Sequence, residues 1–274
     1  MVCIRDDVMS VYDINQNVLQ SVYGLTGNAI SKAYDINGIE VYSGVTFLDS
    51  SIVTNVYTSS ITAQPQGGCI DDDGNIYVCF YSEGKFRKYN ISTGSLTEVS
   101  FTPNAYGHAN GMTYNPNTEY FYVASMKNTG EVYVFDASFN LVDTLYAKDA
   151  NDTIFNCWNI AYDRIGRRFI TMRNGTIYFF DDNFDLIKTR TYLLSDWPDT
   201  RQDIETDGRF IYAISYSDNL INVFAFSGAL VKTISNSAFS GEPESMCYDW
   251  ENDIYYIEGK STYYLIRQAE FIEQ

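Results

Sequence analysis

Hydrophobic positions along this chain come in short runs rich in tyrosine, phenylalanine, valine and isoleucine. The runs IYVCF (76–80), YFYVAS (120–125) and IYYIE (254–258) are typical, and turn-forming Gly, Asn or Asp residues lie close to each. Aromatic and β-branched side chains pack well on a pleated sheet, whereas Gly, Asn and Asp favour turns. No long stretch of apolar positions follows the 3.6-residue period of a helix. The pattern predicts an all-β protein.

The strands belong to a long internal repeat. Its first strand ends at five marks: Asp72, Asn115, Asp163, Asp207 and Asp249. The marks are 43, 48, 44 and 42 residues apart, and each is followed by a turn, an aromatic-rich second strand, a third strand and, in most repeats, a fourth. Four strands recurring at such an interval form the blade of a β-propeller. The sequence therefore predicts a β-propeller with five clear four-stranded repeats over residues 45–274.

Because of two segments, the sequence does not decide whether the propeller has five or six blades. Residues 45–59 (VTFLDSSIVTNVYTS) resemble a third and a fourth strand. They either complete the last blade and close the ring from the N-terminal side, or join the residues before them in a sixth blade. The C-terminal EFIEQ (270–274) reads as a short fourth strand, which keeps six blades open.

A second, shorter repeat occupies residues 1–44. Its tyrosines, Tyr12, Tyr23 and Tyr34, are 11 residues apart, and each is followed by a turn rich in Asp, Asn or Gly and then by an apolar pair. This order predicts strand, turn, strand. Three such units bury little surface alone and need a partner surface, so we interpret residues 1–44 as an attachment segment in front of the propeller.

Charge and composition limit the kinds of partner that the protein can bind. The chain has 18 basic and 35 acidic residues, a net charge of -17, which repels nucleic-acid phosphates and anionic membrane surfaces. No run reaches the roughly 18 apolar residues of a membrane span, so we expect no membrane insertion. The N-terminus lacks the basic start and apolar run of a signal peptide. The five cysteines include no CxxC pair, so we expect free thiols in a protein made in a reducing cytoplasm.

The entrance of the first strands is the predicted site. In a propeller these strands line the central channel, and every blade contributes residues to one shared mouth. The entrance positions are unusually polar, and the candidate ligand-binding residues are His108, Asn110, Trp158, Asn159, Gln202, Asp203 and Glu244. His108 is the only histidine. The alternative is that these groups satisfy loop backbone and channel water.

The same residues allow some chemistry and exclude other kinds. Asp203 and Glu244 come from neighbouring blades and would supply the two carboxylates of a glycosidase. With Asn110 they would make a calcium-like set for a divalent cation. One histidine and no GxSxG motif argue against a nucleophilic triad. We expect binding rather than catalysis, and no cofactor.

Two resemblances extend this interpretation, the first over residues 60–270. Units such as DDDGNIYVCFYSEGKFRKYN (71–90) resemble repeats of the NHL, gluconolactonase and YncE-like propellers. Gluconolactonase-like enzymes hold a metal at the channel through acidic and Asn residues. Asn110, within HANGMTY, falls on that family's Asn-Gly position, and Asp203 loosely meets its Asp position, whereas no counterpart of its N-terminal Glu is found. The resemblance implies a metal-dependent hydrolase or lactonase as an alternative function.

The second resemblance covers residues 10–44. The tandem YDINGxxV units resemble N-terminal repeats of tail-associated and other structural proteins of phages and prophages of gut bacteria. This implies a virion protein, made in the host cytoplasm, that binds other virion or tail proteins through its N-terminal segment. Its propeller would then recognise a host-surface ligand, a glycan, with Trp158 and nearby tyrosines stacking on sugar faces. A purely structural virion scaffold is the remaining alternative.

Overall fold

The computed structural model describes residues 2–5, 8–11, 32–34, 40–43, 47–60, 62–81, 85–100, 108–127, 129–192, 201–215, 218–261 and 264–272. All regular structure in these residues is β-strand. None of them forms a helix long and apolar enough to cross a membrane.

Two antiparallel strand pairs are described in the N-terminal segment. They are β1 (Val2–Arg5) with β2 (Val8–Val11), and β3 (Lys32–Tyr34) with β4 (Glu40–Ser43). The second pair agrees with the two strands predicted for the unit that contains Tyr34, and the predicted turn between them lies outside the described residues. Tyr12 and Tyr23 lie outside the described residues, and the boundary between residues 1–44 and 45–274 stays a prediction.

The repeat forms five four-stranded blades. Blade 1 comprises β6 (Pro65–Ile70), β7 (Asn75–Phe80), β8 (Lys85–Asn90) and β9 (Ser95–Ser100). Blade 2 comprises β10 (Ala109–Asn115), β11 (Tyr120–Ser125), β12 (Glu131–Phe135) and β13 (Leu141–Tyr146). Blade 3 comprises β14 (Ala161–Asp163), β15 (Arg168–Arg173), β16 (Thr176–Phe180) and β17 (Leu186–Thr191). Blade 4 comprises β18 (Arg201–Thr206), β19 (Ile211–Ser215), β20 (Leu220–Phe224) and β21 (Leu230–Ser235). Blade 5 comprises β22 (Glu242–Asp249), β23 (Ile254–Lys260), β24 (Tyr264–Ile272) and, from before the first blade, β5 (Phe47–Thr58).

The first strands close a five-membered ring. β6, β10, β14, β18 and β22 each contact the next, and β22 returns to β6. β5 pairs antiparallel with β24 and supplies the outermost strand of blade 5, so the ring closes from the N-terminal side. The prediction of a third and a fourth strand in residues 45–59 is wrong, because the segment is one long strand. Residues 270–272 belong to β24 and form no separate fourth strand.

The recurring Asp or Asn after the first strand caps the following turn. One oxygen of Asp163 accepts the backbone N–H groups of the residues two and three positions later, at 3.1 and 2.9 Å. Asp207 and Asp249 accept the equivalent pairs, and Asn115 accepts the first of them. In blade 1 the capping residue is Asp71, one position before the mark chosen from the sequence. This bonding is the physical reason for the repeat's signature.

Aromatic side chains and buried hydrogen bonds join neighbouring blades. The Tyr77 ring of blade 1 lies 4.7 Å from the Phe121 ring of blade 2, measured between centroids. Between blades 4 and 5, the buried Asp207 carboxylate accepts the hydroxyl groups of Tyr212 and Tyr255, at 3.1 and 2.7 Å. The four cysteines from Cys69 onward are free and buried, which confirms the thiol prediction for them.

Candidate functional site

The first strands of blades 1, 2 and 3 lie very close together at their entrance. A Cβ atom on Gly67 would lie 2.7 Å from the carbonyl carbon of Gly111, and one on Gly111 would lie 2.8 Å from the Cα of Asn159. Real Cβ atoms do not approach backbone so closely, so these positions require glycine. The mouth of the channel is therefore narrow, with backbone and polar side chains converging on it.

A β-bulge lies at the same place in four of the five blades. The strand register slips by one residue between Pro65 and Gly67, and equivalent slips occur in β10, β18 and β22. The extra residues are Gln66, Asn110, Gln202 and Glu244. A bulge re-aims the side chain that it carries. Each of these four residues makes a hydrogen bond to another blade, so the bulges assemble one polar cluster across the ring.

Glu244 is the centre of this cluster. Its side chain is 0% exposed, and three carboxamides donate to it. Gln64 Nε2 donates to Oε1 at 2.7 Å, and Gln66 Nε2 donates to Oε2 at 3.2 Å. Gln202 Nε2 also donates to Oε2. Burial raises the pKa of Glu244 to about 8, with a further rise from Glu242, despite these donors.

Asn110 connects three blades beneath the mouth. Its side chain is buried, and Nδ2 donates to the backbone carbonyl groups of Trp158 at 2.8 Å and of Gln202 at 2.9 Å. Both amide protons are thus committed to backbone of blades 3 and 4. This explains why an Asn stands at the position that resembles the metal-binding Asn-Gly of gluconolactonase-like propellers: here the side chain joins strands.

His108 and Tyr81 form the rim on the blade 1 side. His108 Nε2 lies 2.7 Å from Gln66 Oε1, and burial lowers the pKa of His108. The Tyr81 ring lies 4.4 Å from the imidazole, edge to face, and the two residues form a β-bridge. Tyr81 is 49% exposed, so a large part of its side chain faces solvent. An aromatic surface therefore stands beside the polar cluster.

Trp158 lies at the blade 3 entrance, where it is partly buried. The guanidinium carbon of Arg173 lies 4.2 Å from the centre of its ring, a cation–π contact that covers one face of the indole. The indole Nε1 is buried and donates to none of the residues that the structure describes. The face that Arg173 covers is not available for the stacking role predicted from the sequence.

Asn159 and Asp203 are buried away from the polar cluster. Asn159 exchanges two hydrogen bonds with the backbone of Met172, at 2.8 and 3.1 Å, inside blade 3. Asp203 is 0% exposed, and neither of its carboxylate oxygens has a hydrogen-bond partner within the described part of the chain. Burial raises the pKa of Asp203 well above its usual value. Asp203 follows the Gln202 bulge, so it faces the interior.

Asp203 shares the interior with two further carboxyl groups. Burial raises the pKa of Glu205 to about 8 and that of Glu258 to about 7. Glu258 accepts hydrogen bonds from Ser245 Oγ and, at 3.4 Å, from Cys247 Sγ. Across the described ranges, no group of three His, Cys, Asp or Glu side chains could hold a metal ion. The calcium-like set expected from Asn110, Asp203 and Glu244 is not assembled, because each of the three has different surroundings.

The structure thus joins Gln202 to Glu244 directly and His108 to Glu244 through Gln66, and it bonds Asn110 to the backbone of Gln202 and Trp158. Sequence reasoning missed Gln64, Gln66 and Tyr81. In blades 2, 4 and 5 the bulge residue stands five positions before the capping Asp or Asn, and Gln66 stands five positions before Asp71. The mark chosen from the sequence in blade 1 was Asp72, one position too late, so Gln66 was passed over. The two glutamines flank Pro65 at the entrance, which was the available signal.

Comparison with known proteins supports the fold. No protein-family model matches the sequence, and no curated protein matches it. Among solved structures, the chain is similar to glutaminyl cyclase from Myxococcus xanthus, with a TM-score of 0.63 and 14% identity over 82% of this chain and 98% of that one. It also resembles virginiamycin B lyase from Staphylococcus aureus, with a TM-score of 0.43 and 13% identity over 76% of this chain and 67% of that one. At these identities the likeness concerns the fold alone, and the first of the two confirms the β-propeller.

The finer resemblances are not supported to the same degree. The similarity to glutaminyl cyclase supports a propeller-like fold, in line with the coarse family prediction, but no family model singles out the NHL, gluconolactonase or YncE-like group. No match supports the resemblance of residues 10–44 to phage tail proteins, which stays a prediction.

Proposed function

We propose that this protein is a binding propeller whose channel mouth recognises a neutral, hydroxyl-rich ligand, a glycan. The observation that carries the proposal is the set of four equivalent bulges, whose residues Gln66, Asn110, Gln202 and Glu244 join in one hydrogen-bonded cluster at the strand entrances. Bulges are local irregularities that disrupt ladder hydrogen bonds. Their recurrence with a polar residue in four blades is what a shared ligand site needs.

The hydrogen bonding of Glu244 favours recognition over catalysis. Both of its oxygens accept amide protons, so the carboxyl group is engaged by the protein itself. Because Gln64 and Gln202 turn their nitrogens toward Glu244, their amide oxygens point away from it. Both glutamines are partly exposed, and their oxygens are acceptors suited to hydroxyl groups.

The rim selects for an amphipathic, uncharged ligand. The exposed Tyr81 ring offers the flat apolar surface on which the C–H face of a sugar stacks. Glu242 lies close enough to Glu244 to raise its pKa, and the protein has a net charge of -17, which disfavours carboxylated or sulfated ligands. Neutral glycans meet both conditions.

Removing the tyrosine ring tests this site. We expect Tyr81→Ala to weaken binding to neutral glycans on an array about tenfold, the loss of roughly 1.4 kcal/mol of stacking. Tyr146→Ala is the matched control, because Tyr146 is similarly exposed, at 43%, but lies on the outermost strand β13. Equal effects of the two substitutions, or no neutral glycan bound by the natural protein, would contradict the proposal.

The proposal extends to the biological setting. We infer a virion protein that is attached to other virion or tail proteins through residues 1–44 and presents the propeller to a host surface. Support comes from the 11-residue repeat, whose small units need a partner surface. Absence of the chain from purified particles would contradict this part without touching the binding site.

A second candidate function is proton-transfer catalysis at Glu244. The observation that favours it is the buried carboxyl group with a pKa of about 8, close to the pH at which a general acid or base works best. A substrate would reach it by displacing Gln64 and Gln202. The similar fold of a glutaminyl cyclase makes cyclisation of N-terminal glutamine, with release of ammonia, the reaction to assay.

For this candidate we expect Glu244→Gln to lower the rate of ammonia release from a glutaminyl peptide about 100-fold or more, the typical contribution of a general acid or base. Glu242→Gln, which neutralises the neighbouring carboxyl group, serves as the control. Ammonia release that is absent from the natural protein, or equal in all variants, would exclude this candidate. The lactonase alternative lacks such an observation, because the described residues show no metal-binding group.

A further inference from the structure

We propose that Gln66 holds His108 in the tautomer that carries its proton on Nε2, and that Nδ1 is the acceptor that recognises a donor group of the ligand. The inference rests on the proposed function for the identity of the ligand. The proton on Nε2 follows from hydrogen-bond geometry alone. It assigns His108 a role in specificity that no comparison with a known protein supplies.

The backbone carbonyl oxygen of Pro65 can only accept hydrogen bonds, and it fixes the orientation of the Gln66 amide. Gln66 Nε2 lies 2.8 Å from this oxygen, and it lies 3.2 Å from Glu244 Oε2. If the Gln66 amide were reversed, its oxygen would face the carbonyl oxygen of Pro65. The orientation of this buried amide is therefore determined whether or not Glu244 holds a proton.

With Nε2 so placed, Gln66 Oε1 is directed at His108. The distance from Oε1 to His108 Nε2 is 2.7 Å, which is a hydrogen bond. Oε1 has no proton to give, so the histidine Nε2 must donate. Burial lowers the pKa of His108 below its ordinary value of 6.5, which favours the neutral ring. In a neutral imidazole with a protonated Nε2, Nδ1 carries the lone pair.

Nδ1 is placed where a ligand can use it. None of the residues that the structure describes hydrogen-bonds to it, and the ring is only partly buried. The edge-to-face contact with Tyr81 fixes the imidazole beside the aromatic platform. A ligand stacked on Tyr81 would therefore meet an acceptor at its edge. The complementary group is a hydroxyl or amine hydrogen, whereas a carboxylate or sulfate oxygen would be repelled.

The tautomer is measurable without any ligand, because His108 is the only histidine in the protein. We expect a long-range ¹H–¹⁵N spectrum of the full chain at pH 7.5 to show one imidazole with a protonated Nε2 and an unprotonated Nδ1. In Gln66→Ala, which removes the orienting amide, we expect a mixture of tautomers. A protonated Nδ1 in the natural protein would overturn the proposal, whatever the outcome of the binding experiments.

Two substitutions of His108 distinguish the role of Nε2 from the role of Nδ1. The amide nitrogen of His108→Gln reaches the position of Nε2 and can donate to Gln66, but it leaves nothing in place of Nδ1. The amide of His108→Asn replaces the group at Nδ1 and loses the contact with Gln66. We expect His108→Gln to weaken the binding of neutral array glycans at least tenfold, with a melting temperature close to that of the natural protein. We expect His108→Asn to bind more strongly than His108→Gln.

Other results would contradict the role of Nδ1. Unchanged glycan binding by His108→Gln would do so, as would preferred binding of sialylated or sulfated analogues over their neutral parents. If the natural protein binds no glycan, the proposed function fails, while the spectrum still tests the tautomer. The two failures are thus distinguishable.

Discussion

Gly111→Ala is expected to destabilise the propeller by about 3 kcal/mol or more, as overpacking at a site that cannot relax does. The added methyl group would lie 2.8 Å from the Cα of Asn159 and from the backbone nitrogen of Ile160. Backbone in the closed ring of first strands cannot move aside without displacing a neighbouring blade. Asn110, next to Gly111, bonds blades 3 and 4, so the polar cluster would be disturbed as well.

Urea unfolding followed by circular dichroism measures this effect. Gly74→Ala is the matched control: its Cβ would meet nothing within 4 Å, and its cost is limited to the positive φ of 72°. That cost is about 1 kcal/mol. If Gly111→Ala unfolds at the same urea concentration as Gly74→Ala, then the close approach of the first strands is contradicted.

The second large effect is a loss of stability as the pH rises from about 5 to about 8. Burial raises the pKa of Glu205 and of Glu244 to about 8 and that of Glu258 to about 7, and it also raises that of Asp203. In the unfolded chain these groups lose their protons near pH ~4 to 4.5. Between the two values the folded state binds more protons than the unfolded state, so stability falls with rising pH.

A carboxyl group whose pKa is higher by one in the folded state than in the unfolded chain contributes about 1.4 kcal/mol to this dependence, so the combined loss should exceed about 3 kcal/mol. For a chain of this size that lowers the melting temperature by roughly 5–10 °C. Thermal unfolding at pH 5.5 and pH 8.5 measures it. Glu258→Gln keeps the size of the side chain and removes one titrating group, so it is expected to flatten the dependence. A melting temperature that rises over this interval would contradict the buried positions of these carboxyl groups.

The propeller fold could be predicted from the sequence because each blade contains its own local sequence pattern. Asp163, Asp207 and Asp249 cap turns by bonding to residues two and three positions later, a local interaction that leaves the same mark in every repeat. The way in which the ring closes could be predicted only in part. Whether residues 47–58 pair with blade 5 depends on which edge is free once the ring has formed, and that is a long-range outcome.

The candidate site was predictable in location and only partly in membership. His108, Gln202 and Glu244 stand at strand entrances in the sequence, and the structure connects them. Asn159 stands at an equivalent entrance but bonds only within its own blade, to Met172. Tyr81 follows the second strand of blade 1, and its β-bridge to His108 places it beside the polar cluster.

By itself, the sequence determined the class of fold, the repeated unit, the net negative charge and the presence of polar residues at the strand entrances. Local turn chemistry and the alternation of side chains are enough for those conclusions. Only the tertiary structure decided which side chains face the mouth. A strand turns successive side chains to opposite faces, so one inserted residue exchanges the inward and outward sets. The bulges at Gln66, Asn110, Gln202 and Glu244 are defined by pairing with a second strand, and therefore appear only when the blades are folded.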